Sequence, residues 1–188
     1  MGSYLNPGNS GFSNMRNDVY VDKTEMISLI NQTINTPRNL TCISRPRRFG
    51  KSFAAKMLCA YYDKTCDSKE LFDDLKIAKD DEYLKYLNQY DVIYLDMASV
   101  LGVTSSEDAV SYVKRNITEE VLDIYSEVKE AEALFDTLAN LVTYTGNKII
   151  MIIDSGMHRF VRMVEMQESR REYLLFLRSL FKIVGTTV

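Results

Sequence analysis

The sequence predicts an α/β fold in which a mostly parallel, doubly wound sheet has helices on both faces. Short apolar runs alternate with stretches of helical periodicity, and this order of elements builds parallel sheets. The run at 148–154 is apolar without alternation, as expected for a strand that helices cover on both sides. Strands are predicted at 39–44, 92–97 and 148–154.

Length and composition are typical of one soluble globular domain. The chain has 188 residues, of which 46% are hydrophobic and 26% charged, so it can bury a core and is not mainly disordered. No apolar run approaches the roughly 18 residues of a membrane helix, so no membrane partner is expected. Three cysteines without a Cys-x-x-Cys pair argue against a disulfide framework or a zinc site and predict a cytoplasmic location. The single histidine, His158, argues against a Ser-His-Asp triad.

The chain divides into a polar N-terminal segment and a longer α/β part. Residues 1–19 are predicted to form an extended arm, because they contain the turn sequence Asn6-Pro7-Gly8-Asn9. Residues 20–188 are predicted to form the α/β domain, and Thr24 is the predicted N-cap of its first helix. Further helices are predicted from Phe53 onward, over 105–125, 129–143 and 168–181, with short helices within 63–90.

A basic loop follows the first predicted strand and precedes a predicted helix. It reads Arg45-Pro46-Arg47-Arg48-Phe49-Gly50-Lys51-Ser52. Triphosphate binding requires backbone N–H groups that curl around phosphate at a helix N-terminus, a lysine for the β and γ oxygens, and a hydroxyl that reaches Mg²⁺. Gly50, Lys51 and Ser52 meet the last requirements in the right register. Arg45 stands where the strict Gly-x-x-x-x-Gly-Lys-[Ser/Thr] pattern begins, and a basic loop with a solvated lysine is the alternative interpretation.

Several motifs, in order along the chain, resemble the predicted bacterial AAA-ATPase-like family. The RPRRFGKS loop is typical of that family, and Tyr20-Val21-Asp22-Lys23-Thr24 matches its YVDKT motif. The resemblance spans about residues 4–154 and returns at 171–178. It implies a P-loop NTPase-like fold, with ATP and Mg²⁺ as ligands, and members often carry a C-terminal PD-(D/E)XK nuclease-like domain. Asp22 and Lys23 are candidates for the adenine side of the site, and a helix-capping turn is the alternative.

The resemblance also implies roles for individual residues. Lys51 would contact phosphate, Ser52 would contact Mg²⁺, and Asp154 would be the Walker-B aspartate and second Mg²⁺ ligand. Asp96 also ends an apolar strand, but strand order favours Asp154, and the other interpretation of Asp96 is a strand-end cap. The predicted nucleotide-binding residues are Arg47, Arg48, Phe49, Gly50, Lys51, Ser52, Phe53 and Asp154.

The residues after Asp154 depart from the family pattern, which usually continues with Glu. The chain reads Asp154-Ser155-Gly156-Met157-His158, and Ser155 cannot act as the carboxylate that orients and polarises the attacking water. Impaired hydrolysis is therefore predicted, and no catalytic residue is assigned. A single-nucleotide deletion in a coding run for the family sequence would produce this run, so a frame slip near codon 155, and a second near Lys182, is one hypothesis. The resemblance implies a further strand after the last helix, so the sheet is expected to be C-terminally truncated.

The predicted function is an ATP·Mg²⁺-binding AAA-like P-loop NTPase domain, formed as a partial domain by residues 20–188. The alternative is a non-hydrolysing nucleotide-binding or protein-interaction module, as a degenerate or frameshifted fragment. Nucleotide is the predicted partner, a second copy of the chain is a candidate, and nucleic acid is implied only through the family's association with nuclease-like domains.

Overall fold

The computed structural model describes the chain apart from residues 1, 47, 106–107, 155–166 and 187–188, and in the last helix it describes the side chains of 171–180. The fold is mixed α/β and contains a parallel sheet of two strands, β1 (Asp91–Asp96) and β2 (Ile149–Asp154). The helices are α1 (Ser10–Arg16), α2 (Glu25–Asn31), α3 (Lys51–Tyr62), α4 (Lys69–Phe72), α5 (Tyr83–Tyr86), α6 (Met97–Val103), α7 (Ala109–Ile124), α8 (Leu134–Thr145) and α9 (Gln167–Thr186), with a 3-10 turn at Lys76–Lys79. A helix able to span a bilayer is not found in the part of the chain that the structure describes.

The two strands carry apolar side chains on both faces of the sheet. They pair in parallel, from Asp91 opposite Ile149 to Asp96 opposite Asp154. Successive strand side chains point to opposite faces of the sheet, so the even-numbered and the odd-numbered strand residues pack into two separate cores. The side chains at 92 and 152 pack with α3, whereas those at 93 and 95 pack with α6, α7, α8 and α9. This explains the apolar run without alternation and confirms the α/β class, while the doubly wound topology stays a prediction.

The outer edge of β1 is covered by residues 4–6, which we call the edge segment. Leu5 forms an antiparallel bridge with Ile93 and is fully buried. The Asn6 N–H donates to the Val92 carbonyl at 2.7 Å, and the Tyr94 N–H donates to the Tyr4 carbonyl at 2.8 Å. The N-terminal residues thus contribute to the core, and the division into an arm and a domain at residue 20 stays a prediction.

The predicted strand at 39–44 is not formed. These residues are irregular, and Leu40 is 58% exposed and Ile43 39% exposed. A β-prone run becomes a strand only when a neighbouring strand accepts its hydrogen bonds and covers its side chains, and within the described residues no strand pairs with this run. The order strand–loop–helix predicted around the basic loop is therefore reduced to loop and helix.

The long helix predicted from 105 begins later than expected. Asp108 is the N-cap of α7, and the Ser105 hydroxyl donates to the Asp108 carboxylate at 2.6 Å. The Asp108 N–H donates back to the Ser105 hydroxyl at 3.1 Å. The Ser105 side chain therefore stabilises the turn before α7, and Asp108, not Ser105, is the N-cap of that helix.

Candidate functional site

The basic loop enters α3 through a left-handed residue. Gly50 has φ of 75° and is the N-cap of α3, and its carbonyl accepts the N–H of Ala54 at 2.9 Å. Arg48, two residues earlier, is also left-handed, with φ of 66°. Glycine adopts this conformation without the steric cost of a Cβ. A left-handed residue next to helical residues turns successive N–H groups to one side, which is typical of anion-binding nests.

The side chain of Lys51 folds back over this loop. Its Nζ donates to the carbonyl of Arg45 at 2.7 Å and to the carbonyl of Pro46 at 3.1 Å. Within the described residues, no carboxylate forms an ion pair with this ammonium group. The positive charge of Lys51 therefore lies against the backbone of the loop.

The other predicted loop residues lie beside Lys51 at the surface. Phe49 is 61% exposed and Phe53 56% exposed, and Arg48 and Ser52 are also exposed. Ser52 is the second residue of α3, so its hydroxyl lies at the N-terminal end of that helix. The structure thus brings residues 48–53 together on one solvent-facing turn, whereas Arg47 lies outside the described residues.

The two strands end side by side in a pair of aspartates. Asp96 caps α6, because its carboxylate accepts the N–H groups of Ala98 at 2.9 Å and Ser99 at 3.2 Å. The interpretation of Asp96 as a strand-end cap is thus confirmed. Asp154, its partner in register, is buried. Burial, with the nearby carboxylates of Asp154 and Asp96, raises the pKa of the Tyr94 phenol.

Helix α3 runs antiparallel to the strands on which it packs. Its C-terminal end lies at the start of β1, because Asp63 bridges Tyr90 and the Lys64 N–H donates to the Tyr90 carbonyl at 2.9 Å. A helix of 12 residues is about 18 Å long, and a strand of six residues is about 20 Å long. Since α3 packs against both strands, its first residue lies towards their carboxyl ends. With this direction of α3, we expect Lys51 to lie towards the sheet edge at which Asp154 ends β2, the edge where α/β proteins bind ligands.

A contact from the segment before α2 also reaches the loop. Lys23 Nζ donates to the carbonyl of Phe49 at 3.0 Å. Its neighbour Asp22 forms a capping turn, since its carboxylate accepts the N–H of Thr24 at 2.8 Å and that of Lys76 at 2.8 Å. The capping alternative is thus confirmed for Asp22. The sequence marked Lys23, within the YVDKT motif, as a candidate for the adenine side of the site, which stays a prediction, but it did not indicate this contact with the loop backbone.

Asp22 makes the stability of this turn depend on pH. Although burial acts to raise it, hydrogen bonds from Thr24 and from the backbone of Lys76 hold the pKa of the Asp22 carboxyl below its usual value. A lowered folded-state pKa means that the carboxylate stabilises the fold above the unfolded-state pKa of about 4, and that this contribution is lost as pH falls through the folded-state pKa. We expect Asp22→Asn to lower the free energy of unfolding at pH 7 and to differ less from wild type below about pH 4.

Urea denaturation at pH 7, 5 and 3 measures this effect. Asp123→Asn, at an exposed position of α7, is the control and should leave the free energy of unfolding nearly unchanged. A deficit in Asp22→Asn that stays constant down to pH 3 would contradict the assignment of the effect to the Asp22 charge.

The predicted Mg²⁺ ligands can be compared with the donors that this metal uses beside phosphates. In the part of the chain that the structure describes, no group of three or more His, Cys, Asp or Glu side chains could hold a metal ion. Mg²⁺ in nucleotide sites is held through one or two protein ligands together with phosphate oxygens and water. The hydroxyl of Ser52 and the carboxylate of Asp154 are oxygen donors of the type that Mg²⁺ prefers, so the chemistry of the predicted pair is compatible with this metal.

Comparison with known proteins yields a family match over almost the entire chain. A family model described as Predicted AAA-ATPase matches residues 7–187. The matched range includes the basic loop, α3 and both strands. No curated protein and no solved structure shows a significant match to the chain.

Proposed function

The chain belongs to the predicted AAA-ATPase family, and from this premise we propose that it binds ATP together with Mg²⁺ at the loop before α3. The observation that carries the proposal is the position of the Lys51 ammonium on the carbonyls of Arg45 and Pro46. A lysine held there keeps its charge on the loop that leads into the left-handed turn at Gly50, and the proposal is that this charge and the N–H groups at the helix start act on the same anion.

Each predicted residue has a role in this proposal. Lys51 binds the β and γ phosphate oxygens, and Ser52 and Asp154 ligate Mg²⁺. The loop backbone from Phe49 to Gly50 donates N–H groups to the phosphates. Bound ATP would supply the negative charge that offsets the cluster of cations. Arg47, Arg48 and Phe53 complete the proposed surface around the nucleotide.

We also propose that hydrolysis is weak. Ser155 stands where the resemblance expects a glutamate, and it lies outside the described residues. A non-hydrolysing nucleotide-binding module is the second candidate, and the same serine favours it. A cytoplasmic location, a second copy of the chain as partner and a link to nucleic acid stay proposals that rest on the sequence and the family.

Thermal denaturation tests nucleotide binding directly. At a concentration one hundred times Kd, a ligand stabilises the fold by about 2.7 kcal/mol, so ATP·Mg²⁺ should raise the Tm of the wild-type chain by about 5–10 °C. We expect Lys51→Ala to weaken ATP·Mg²⁺ at least about tenfold, because it removes hydrogen bonds from a charged donor, and to reduce the Tm shift accordingly.

Lys114→Ala is the matched control, since Lys114 is an exposed lysine on α7. It should keep the full ATP-dependent shift. If ATP·Mg²⁺ fails to shift the Tm of the wild-type chain, or if Lys51→Ala keeps the wild-type shift, the proposed site is wrong.

A further inference from the structure

Lys23 contacts the peptide unit that joins Phe49 to Gly50. Its Nζ lies 3.0 Å from the carbonyl oxygen of Phe49. A Cβ added to Gly50 would lie 2.9 Å from the same Nζ, so the ammonium also lies against the α-carbon side of Gly50. A residue 26 positions earlier in the chain is thereby in contact with the left-handed turn at the start of α3.

The backbone that carries Lys23 is anchored on both sides. Asp22 accepts hydrogen bonds from the N–H and the hydroxyl of Thr24 and from the N–H of Lys76. Thr24 is fully buried, and its hydroxyl accepts the N–H of Ile77 at 3.1 Å. These bonds tie the residues next to Lys23 to the 3-10 turn at 76–79. The backbone position of Lys23 is therefore fixed. Less conformational entropy is then lost when its side chain holds the Phe49 carbonyl.

The contact acts on a group on the far side of the peptide. The described residues contain no cis peptide bond, and in a trans peptide the carbonyl and the following N–H point in opposite directions. An ammonium that holds the oxygen of Phe49 therefore also fixes the direction of the Gly50 N–H. A hydrogen bond from a charged donor polarises the peptide and strengthens its N–H as a donor. Gly50 has no Cβ, so this peptide rotates more freely than others unless something holds it.

We propose that Lys23 is a positioning residue of the phosphate loop, which holds the carbonyl of Phe49 so that the N–H of Gly50 donates to a phosphate oxygen of the bound nucleotide. The inference rests on the proposed function, because it assigns a role within that same site. Lys51 neutralises the phosphates from the loop itself, and Lys23 orients a backbone donor from outside the loop.

The test uses the full chain and two variants of Lys23. Lys23→Met keeps the approximate length of the side chain but removes its charge and its hydrogen-bond donors. Lys23→Arg keeps the charge and the donors. Lys114→Met, on the exposed face of α7, is the control. The readouts are the Kd of ATP·Mg²⁺ by calorimetry and the chemical shift of the Gly50 amide proton.

The expected pattern separates orientation from general stability. Lys23→Met should weaken ATP·Mg²⁺ about tenfold, the value for loss of one hydrogen bond with a charged group. Lys23→Arg should restore most of the affinity, and Lys114→Met should bind like wild type. ATP should move the Gly50 amide proton downfield in wild type and by less in Lys23→Met.

Three outcomes would overturn the inference in distinguishable ways. If Lys23→Met keeps wild-type affinity and the wild-type Gly50 shift while Lys51→Ala loses affinity, the role of Lys23 is wrong and the proposed function stands. If affinity falls while the Gly50 shift is unchanged, Lys23 acts on the nucleotide directly and positions no donor. If the wild-type chain does not bind ATP·Mg²⁺, the proposed function and this inference fail together. Lys23 is exposed, and Lys23→Gln provides a second neutral variant should Lys23→Met fold poorly.

Discussion

Asp91→Ala is expected to lower the free energy of unfolding by about 1–3 kcal/mol, because it removes the buried acceptor of a partly exposed lysine and of the buried Asn6 amide. The Asp91 carboxylate is fully buried. It accepts hydrogen bonds from Lys64 Nζ at 2.7 Å and from Asn6 Nδ2 at 2.8 Å. The Tyr125 hydroxyl lies 3.3 Å from the same group. Without the carboxylate, the ammonium and the amide lose their acceptor at the point where the N-terminal residues join β1.

Denaturant unfolding of the full chain measures this loss, and two further variants show its cause. Asp91→Ala combined with Lys64→Met should recover part of the lost stability, because no charge is then left without its partner. Glu119→Ala breaks an exposed pair with Arg115 and should change the free energy of unfolding by less than about 1 kcal/mol. A loss below about 1 kcal/mol in Asp91→Ala would mean that this pair does not hold the edge of the fold.

Ser155→Glu is expected to raise the rate of ATP hydrolysis by about 10²-fold or more, the usual contribution of a positioned acid–base group. The expectation rests on the proposed function and on the sequence, because a glutamate after the Walker-B aspartate is what the family resemblance leads one to expect. A steady-state phosphate-release assay at saturating ATP·Mg²⁺ measures the change.

The control for this experiment is Ser155→Glu combined with Lys51→Ala, which should hydrolyse ATP much more slowly than Ser155→Glu alone. Equal activity in the two variants would mean that the phosphate release comes from a contaminant. A rate in Ser155→Glu equal to that of wild type would show that the missing carboxylate is not what limits turnover, even where ATP still shifts the Tm.

The elements that the sequence predicted well are those that a local pattern determines. The apolar run ending at Asp154 matches β2, because burial on both faces requires apolar residues at every position. Helix α6 was missed, since it follows β1 without a turn and its cap is the last residue of the strand itself. The run at 39–44 has the composition of a strand, but the pairing that would make it one depends on residues far away in the chain, which local propensity does not encode.

The candidate site divides in the same way. Gly50 at the cap of α3 and Lys51 at its first position follow from the spacing of the motif, and the structure shows this local geometry. Asp96 lies opposite Asp154 because of the register between β1 and β2, and the sequence does not specify that register. The contact of Lys23 with Phe49 needs the anchoring of Asp22 by a backbone N–H 54 positions later, which no pattern within one segment could reveal.

Because residues 4–6 pair with β1, the two edge strands of the sheet differ in how many of their backbone groups are hydrogen-bonded. On the β1 side, the carbonyl of Val92 and the N–H of Tyr94 are already engaged by this antiparallel stretch. Within the described part of the chain, no strand pairs with the opposite side of β2. Unpaired backbone groups along a strand invite pairing by an incoming segment. The outer side of β2 is therefore the edge at which we expect a further β-strand to add to the sheet.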